Sequence, residues 1–130
     1  MRIASQGWSV EGTGFSAESR RDSMVITIHG DVDIVTSPQL DESLTHAEST
    51  HRRIILDLGD VNFLDTSGLA VIVGHWKKLE SAGGMLALAG ARYRYTKTLW
   101  ITGLADKLTL YPTVEEALRA QAETAAPGGQ

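Results

Sequence analysis

Arg53-Ile54-Ile55-Leu56-Asp57-Leu58, followed by Val61-Asn62-Phe63-Leu64 and then Asp65-Thr66-Ser67-Gly68-Leu69, is the stretch that decides the fold. The first run is apolar almost throughout, as a strand at the buried centre of a sheet is. Beyond it, Leu69, Ile72, Val73, Trp76 and Leu79 recur at the spacing of one helix face. A strand therefore gives way to an amphipathic helix, and Ser67 is a hydroxyl at or beside that helix's N-terminus. Unpaired N–H groups and the positive end of the macrodipole favour an anion there. A phosphate on Ser67 would bring about −1.5 to −2 charges and a set of strong acceptor oxygens. Ser, Thr and Asp are also the commonest N-caps, and a cap and a modification site do not exclude each other.

On the C-terminal side, Gly83-Gly84 ends this helix and Met85-Leu86-Ala87-Leu88-Ala89 reads as another strand. Residues 94–101 are predicted helical, with Leu99 and Trp100 available for packing and Gly103 as the stop. Leu108-Thr109-Leu110-Tyr111 is a short edge strand. Thr113-Val114-Glu115-Glu116 is a capping box opening a helix that carries Val114, Ala117, Leu118 and Gln121. Residues 121–130, ending Pro127-Gly128-Gly129-Gln130, read as a flexible tail.

On the N-terminal side, Met24-Val25-Ile26-Thr27-Ile28-His29 is a strong β run, and Phe15-Ser16-Ala17-Glu18 alternates as a half-buried strand does. The turn-like Arg21-Asp22-Ser23 joins them into a hairpin. Residues 30–36 form a loop leading to a helix whose N-cap and first position are Ser37 and Pro38. Leu40, Leu44 and Ala47 supply its buried face. Residues 1–14 are a weakly ordered lead, in which Trp8 and Val10 suggest at most a short strand. The predicted order is β-β-α-β-α-β-α-β-α. That order specifies one α/β domain over residues 15–120, with a mixed four- to five-stranded sheet opened by a β-hairpin and about four helices.

The 130 residues suit one domain and carry a formal charge of −4. There is no cysteine, which removes disulfides, thiolate nucleophiles and Cys-ligated metals. Arg20-Arg21, Arg52-Arg53, Lys77-Lys78 and Arg92-Tyr93-Arg94 are scattered rather than gathered into a basic stripe, so direct nucleic-acid binding is not expected. No apolar run approaches the roughly 18 residues of a membrane span, and the start lacks a signal-peptide pattern. The expectation is a cytoplasmic protein that does not engage a membrane.

Catalytic arrangements fail on inspection. Ser67 has Asp65 two residues before it and Leu69 two after, not the glycines of a hydrolase elbow. His29, His46, His51 and His75 show no metal-ligand spacing, and each is expected to be an ordinary surface or boundary residue. No phosphate cradle of the Gly-x-x-x-x-Gly-Lys-Ser/Thr type is present. No catalytic residue, no metal and no cofactor is therefore predicted, and a phosphate on Ser67 must come from another protein. An aspartyl-phosphate receiver is the enzyme-like alternative. Asp31, Asp33 and Asp57 could mimic its acidic residues, but Ala89-Gly90-Ala91 offers no lysine at the later strand end. Turn and cap chemistry is the plainer role for these aspartates and for Asp60.

Taken together, these segments resemble the STAS domain, and specifically the bacterial anti-sigma factor antagonists. Gly30-Asp31-Val32-Asp33 is similar to the family's Gly-[Glu/Asp]-Leu-Asp motif. Val61 to Leu69 resembles its phosphosite segment, Gly83-Gly84 its turn before a helix-flanked strand, and Thr102-Gly103-Leu104 its late Thr-Gly-Leu. The resemblance implies a partner switch without enzymatic activity. The unphosphorylated form would bind an anti-sigma factor that is also a serine kinase, so freeing a sigma factor. Phosphorylation at Ser67, with Thr66 as second choice, would separate the pair, and a serine phosphatase would reset it. The partner-binding residues implied are Asp31, Asp33, Val35, Thr36, Asp65, Thr66 and Gly68, on a monomer or weak dimer. Thr66 stands where serine is frequent, and the lead over residues 1–14 is extra. The alternatives are a non-phosphorylated STAS scaffold subunit of a signalling assembly and a nucleotide-sensing module.

Overall fold

In the computed structural model, residues 5–10 and 13–124 are described. Six strands are found among them: β1 (Ser5–Val10), β2 (Thr13–Arg20), β3 (Ser23–Val32), β4 (Arg53–Leu64), β5 (Met85–Ala89) and β6 (Thr109–Tyr111). Four helices intervene: α1 (Ser37–Glu48), α2 (Thr66–Ser81), α3 (Lys97–Ile101) and α4 (Val114–Thr124). The strands lie in one sheet in sequence order, β1-β2-β3 antiparallel and β3-β4-β5-β6 parallel. The α/β class and the mixed sheet opened by a hairpin agree with the sequence reading.

Strands β2–β6 match the expected count, and the lead adds a sixth, β1. Ser5–Val10 of the lead pairs along β2, from Ser5 opposite Glu18 to Val10 opposite Thr13. Its composition, rich in Gly and Ser, hides a strand whose partner lies outside it. The ends of the sequence at 1–4, the lead residues 11–12 and the tail residues 125–130 lie outside the described residues. Residues 121–124, read as tail, are the last turn of α4. Gln121 is buried there, accepting from Ser23 Oγ at 2.9 Å and donating to the Ile54 carbonyl at 3.3 Å.

Alternation along β4 builds two layers. Ile54, Leu56 and Leu58 join Ile26, Ile28, Leu40, Leu44, Ile72 and Leu99 in the larger core under α1, α2 and α3. Ile55 points the other way and meets Val25, Ala87, Ala89, Ala117 and Leu118 under α4. Successive side chains of a strand face opposite sides, so one apolar run feeds both cores.

Part of the predicted 30–36 loop is strand. β3 continues through Gly30 and Asp31 to Val32, and β4 runs unbroken to Leu64. The apolar alternation is interrupted there because the β3–β4 register shifts twice, between Thr27 and His29 and between Gly30 and Asp31, where Gly30 takes φ 100. A bulge of this kind re-aims side chains at a sheet's end. The β2–β3 turn puts Arg21 and Asp22 at φ 51 and 71, the twist a two-residue hairpin requires. The N-cap of α1 is Thr36 rather than Ser37, and α3 is shorter than the 94–101 foreseen.

Candidate functional site

The parallel strands β3 and β4 end side by side, Asp31 opposite Phe63 and Val32 opposite Leu64, and the Asp65 amide donates to the Val32 carbonyl at 3.0 Å. The 33–36 connection and the start of α2 are thereby brought to one pole of the sheet. On the far side of Leu64, Thr98 Oγ1 of α3 donates to its carbonyl at 2.7 Å.

Asp65 is the N-cap of α2, with extended backbone. Its Oδ1 accepts from the Ser67 amide at 2.9 Å, the Gly68 amide at 3.1 Å and Ser67 Oγ at 2.5 Å. Burial pushes the Asp65 carboxyl up, but the bonds from the Ser67 hydroxyl, the Gly68 and Ser67 amides and the Ile34 amide together hold it below its ordinary value. Asp65 is thus an anion on the helix terminus, and the Ser67 hydroxyl is aligned by it. Ser67, the second residue of α2, is half-buried, and Thr66 before it is exposed.

Asp33 builds the neighbouring loop. Its Oδ1 accepts from the Val35 amide at 3.0 Å and the Thr36 amide at 3.1 Å. Thr36 Oγ1 accepts from the Asp33 amide at 2.9 Å and donates to the Asp31 carbonyl at 3.0 Å. Thr13 Oγ1 donates to the same carbonyl at 2.6 Å. This closed network stiffens the loop and leaves Ile34 75 % and Val35 54 % exposed at its tip. Phe63, 49 % exposed, stands beside them. Three large apolar side chains facing solvent beside a hydroxyl are unusual for a surface with no partner.

The seven residues expected to touch a partner divide in two. Asp31, Val35 and Thr66 are exposed, and Asp33 and Asp65 are half-buried. Thr36 and Gly68 are buried, which corrects their assignment to a contact surface. Thr36 is spent on the loop network. A Cβ on Gly68 would lie 2.5 Å from Val32 Cγ1 and 2.9 Å from Leu64 Cδ1, so glycine lets α2 start directly on the core. Ile34 and Phe63 were missed. Alternation carried the signal for Phe63: with Leu64 facing inward, its neighbour must face out.

The four histidines do not behave alike. His29 pairs with Asp60 at 3.1 Å on the surface. His75, expected at a boundary, is 6 % exposed between α1 and α2. Its Nε2 meets Asp41 Oδ1 at 2.6 Å, its Nδ1 meets Glu48 Oε2 at 2.5 Å, and Lys78 Nζ reaches Glu48 Oε1 at 3.0 Å. Sequence spacing could not show this, because the carboxylates belong to the other helix. Asp57 accepts from the Gly59 amide at 3.0 Å, a local turn role. Among the described residues no group of three or more His, Cys, Asp or Glu side chains could hold a metal, and no helix is long and apolar enough to cross a membrane.

A sequence profile described as the STAS domain matches residues 15–117. The chain belongs to the STAS domain family. It is 30 % identical over 105 residues to the anti-sigma F factor antagonist of Paenibacillus polymyxa, covering 78 % of this chain and 88 % of that protein. An anti-sigma factor antagonist from Mycobacterium paratuberculosis superposes with TM-score 0.79 at 23 % identity, over 88 % of this chain and 97 % of that one. The antagonist SpoIIAA in its unphosphorylated form gives 0.71 at 25 % identity, over 83 % and 96 %. The same Bacillus cell fate determinant in its phosphorylated form gives 0.64 at 25 % identity, over 82 % and 97 %. The STAS sheet, its bulged β3–β4 end and the α2 terminus are thus the frame on which the Ser67 site is carried.

Proposed function

We propose that this STAS domain is an anti-sigma factor antagonist switched at Ser67. Its partner is an anti-sigma factor that is also a serine kinase. The unphosphorylated form occupies that protein and leaves a sigma factor free. Phosphorylation of Ser67 ends the complex, a serine phosphatase restores it, and the exchange takes place in the cytoplasm on a monomer or weak dimer. The observation that carries this reading is a half-buried hydroxyl at a helix N-terminus, at the sheet pole that also carries exposed Ile34, Val35 and Phe63. The curated relative named above supports it, being itself an antagonist of an anti-sigma factor.

The physical logic needs no large rearrangement. A protein docking on Ile34, Val35 and Phe63 dehydrates Ser67. Burying a phosphate dianion there without a cationic partner costs several kcal/mol. Ser67 is favoured over Thr66 because Asp65 already orients its hydroxyl, whereas Thr66 Oγ1 has no such acceptor in the bonds around Asp65. Incubation with the cognate kinase and ATP, followed by mapping of the modified peptide by mass spectrometry, tests the reading. Phosphate on Ser67 is the expected result; phosphate on neither Ser67 nor Thr66 sinks it.

A further inference from the structure

We propose that a phosphate on Ser67 and the Asp65 carboxylate compete for one helix terminus, so that modification expels the Asp65 side chain toward solvent. This rests on the reading of Ser67 as the modified residue and adds how the change spreads from it.

A single oxygen carries the arrangement: Asp65 Oδ1 takes the Ser67 amide, the Gly68 amide and the Ser67 hydroxyl. In the transfer, Ser67 Oγ forms a bond to the γ-phosphorus of ATP. The bond from that phosphorus to the bridging oxygen breaks, and ADP leaves with its electron pair. The hydroxyl proton passes to Asp65 Oδ1, already its acceptor, and on to water. What remains is a phosphate dianion on an atom that stood 2.5 Å from a carboxylate oxygen. The donor that joined them has gone, and two anions this close do not both stay.

The phosphate is the stronger claimant. It has more charge and more acceptor oxygens, and it is tethered at the second residue of α2, where amides have no helical partner. Asp65 leaves by rotation about its own χ1. The displacement is bounded, because Asp33 and Thr36 hold the rest of the loop with bonds that do not involve Asp65. The docking face therefore changes by more than one phosphate: a carboxylate that faced inward faces out.

The test installs phosphoserine at position 67 during translation, without any kinase, and compares that protein with the unmodified chain. The Asp65 carboxyl carbon is followed by NMR through a pH titration. The expected result is a carboxyl that titrates below the ordinary carboxylate range in the unmodified chain and within or above it in the phosphorylated one. Asp65→Asn keeps a capping side chain and removes the repulsion, since Asn caps as well as Asp. Phosphorylation should therefore lower the Tm less in that background than in the native one. An unchanged Asp65 titration, or an equal Tm effect in both backgrounds, overturns the proposal. Because the phosphate is placed without a kinase, a failure of the partner-switch reading leaves this outcome standing, and the converse also holds.

Discussion

Helix α2 carries two polar clusters of opposite design. At its N-terminus, Asp65 gathers the Ser67 hydroxyl and two amides at the rim of an exposed apolar face. Two turns further on, His75 is sealed between Asp41 and Glu48 of α1, with its side chain only 7 % exposed. Both sites use carboxylates to satisfy a neighbour. At the first, the hydroxyl stays open to chemistry and added charge has somewhere to act. At the second, both ring nitrogens of His75 are already paired and the cluster's work is to hold two helices together. Accessibility, not residue type, separates a switch from a strut.

The sharpest way to break this contrast is to place charge at the first site. Ser67→Asp should weaken binding of the anti-sigma factor about a hundredfold relative to Ser67→Ala, the equivalent of ~3 kcal/mol. Ser67→Ala should bind as the native chain does. Calorimetric titration of the two variants against the same partner measures this, and equal affinities would remove the electrostatic account of the switch.

The second cluster should answer in stability alone. His75→Leu leaves Glu48, which is largely buried, with Lys78 as its remaining partner, and leaves Asp41 to water. A loss of about 2 kcal/mol is expected, near the middle of the cost of removing one partner from a partly buried charged pair. Chemical denaturation should show the shift, with partner affinity unchanged once the variant is folded. A fall in affinity without a fall in stability would mean that the α1–α2 face, not the α2 terminus, is where the partner sits.

How much of this was legible beforehand follows from where each constraint lies. The β4 run, the α2 periodicity and the Gly83-Gly84 stop are local patterns, and β5 lies where the alternation put it. The strand at Ser5–Val10 was hidden because its partner is β2, across a turn. Val32 was placed in a loop because a bulge in the pairing interrupts the two-residue period just before it. At the site, Asp65 and Ser67 could be read from cap chemistry within three residues. The burial of Thr36 and the bridging of His75 depend on residues from other elements, and no spacing rule reports those. Phe63 lay between the two cases: its outward direction follows from Leu64, but its closeness to Ile34 needs the β3–β4 register.

Gly68 sharpens the contrast from beneath. Its missing side chain lets the helix terminus rest on Val32 and Leu64. Gly68→Ala should cost about 1.5 kcal/mol through overpacking, offset in part by alanine's better helix propensity. The shift is expected as a Tm drop of several degrees for a domain of this size. It should also weaken the partner, because Asp65 and the 33–36 loop are referenced to the same Val32. A variant with native Tm would show that the α2 terminus is not seated as tightly as the Val32 and Leu64 contacts require.

The smallest effect expected is on the cap itself, and it separates cap from charge. Asp65→Ala removes the acceptor of two amides and should cost about 1 kcal/mol, while Asp65→Asn should cost only a few tenths. The pH dependence carries the same information. The folded Asp65 carboxyl lies below its ordinary value, so its contribution is complete above the ordinary carboxylate range. It is lost as pH falls through the folded value, because only the unfolded chain binds the proton between the two. Native protein should therefore lose more stability than Asp65→Asn between about pH 4 and pH 2, the region below the ordinary Asp value. Denaturation midpoints for the pair across that range measure the difference. Parallel curves would mean that the carboxylate's charge adds nothing to the cap that a neutral amide does not supply.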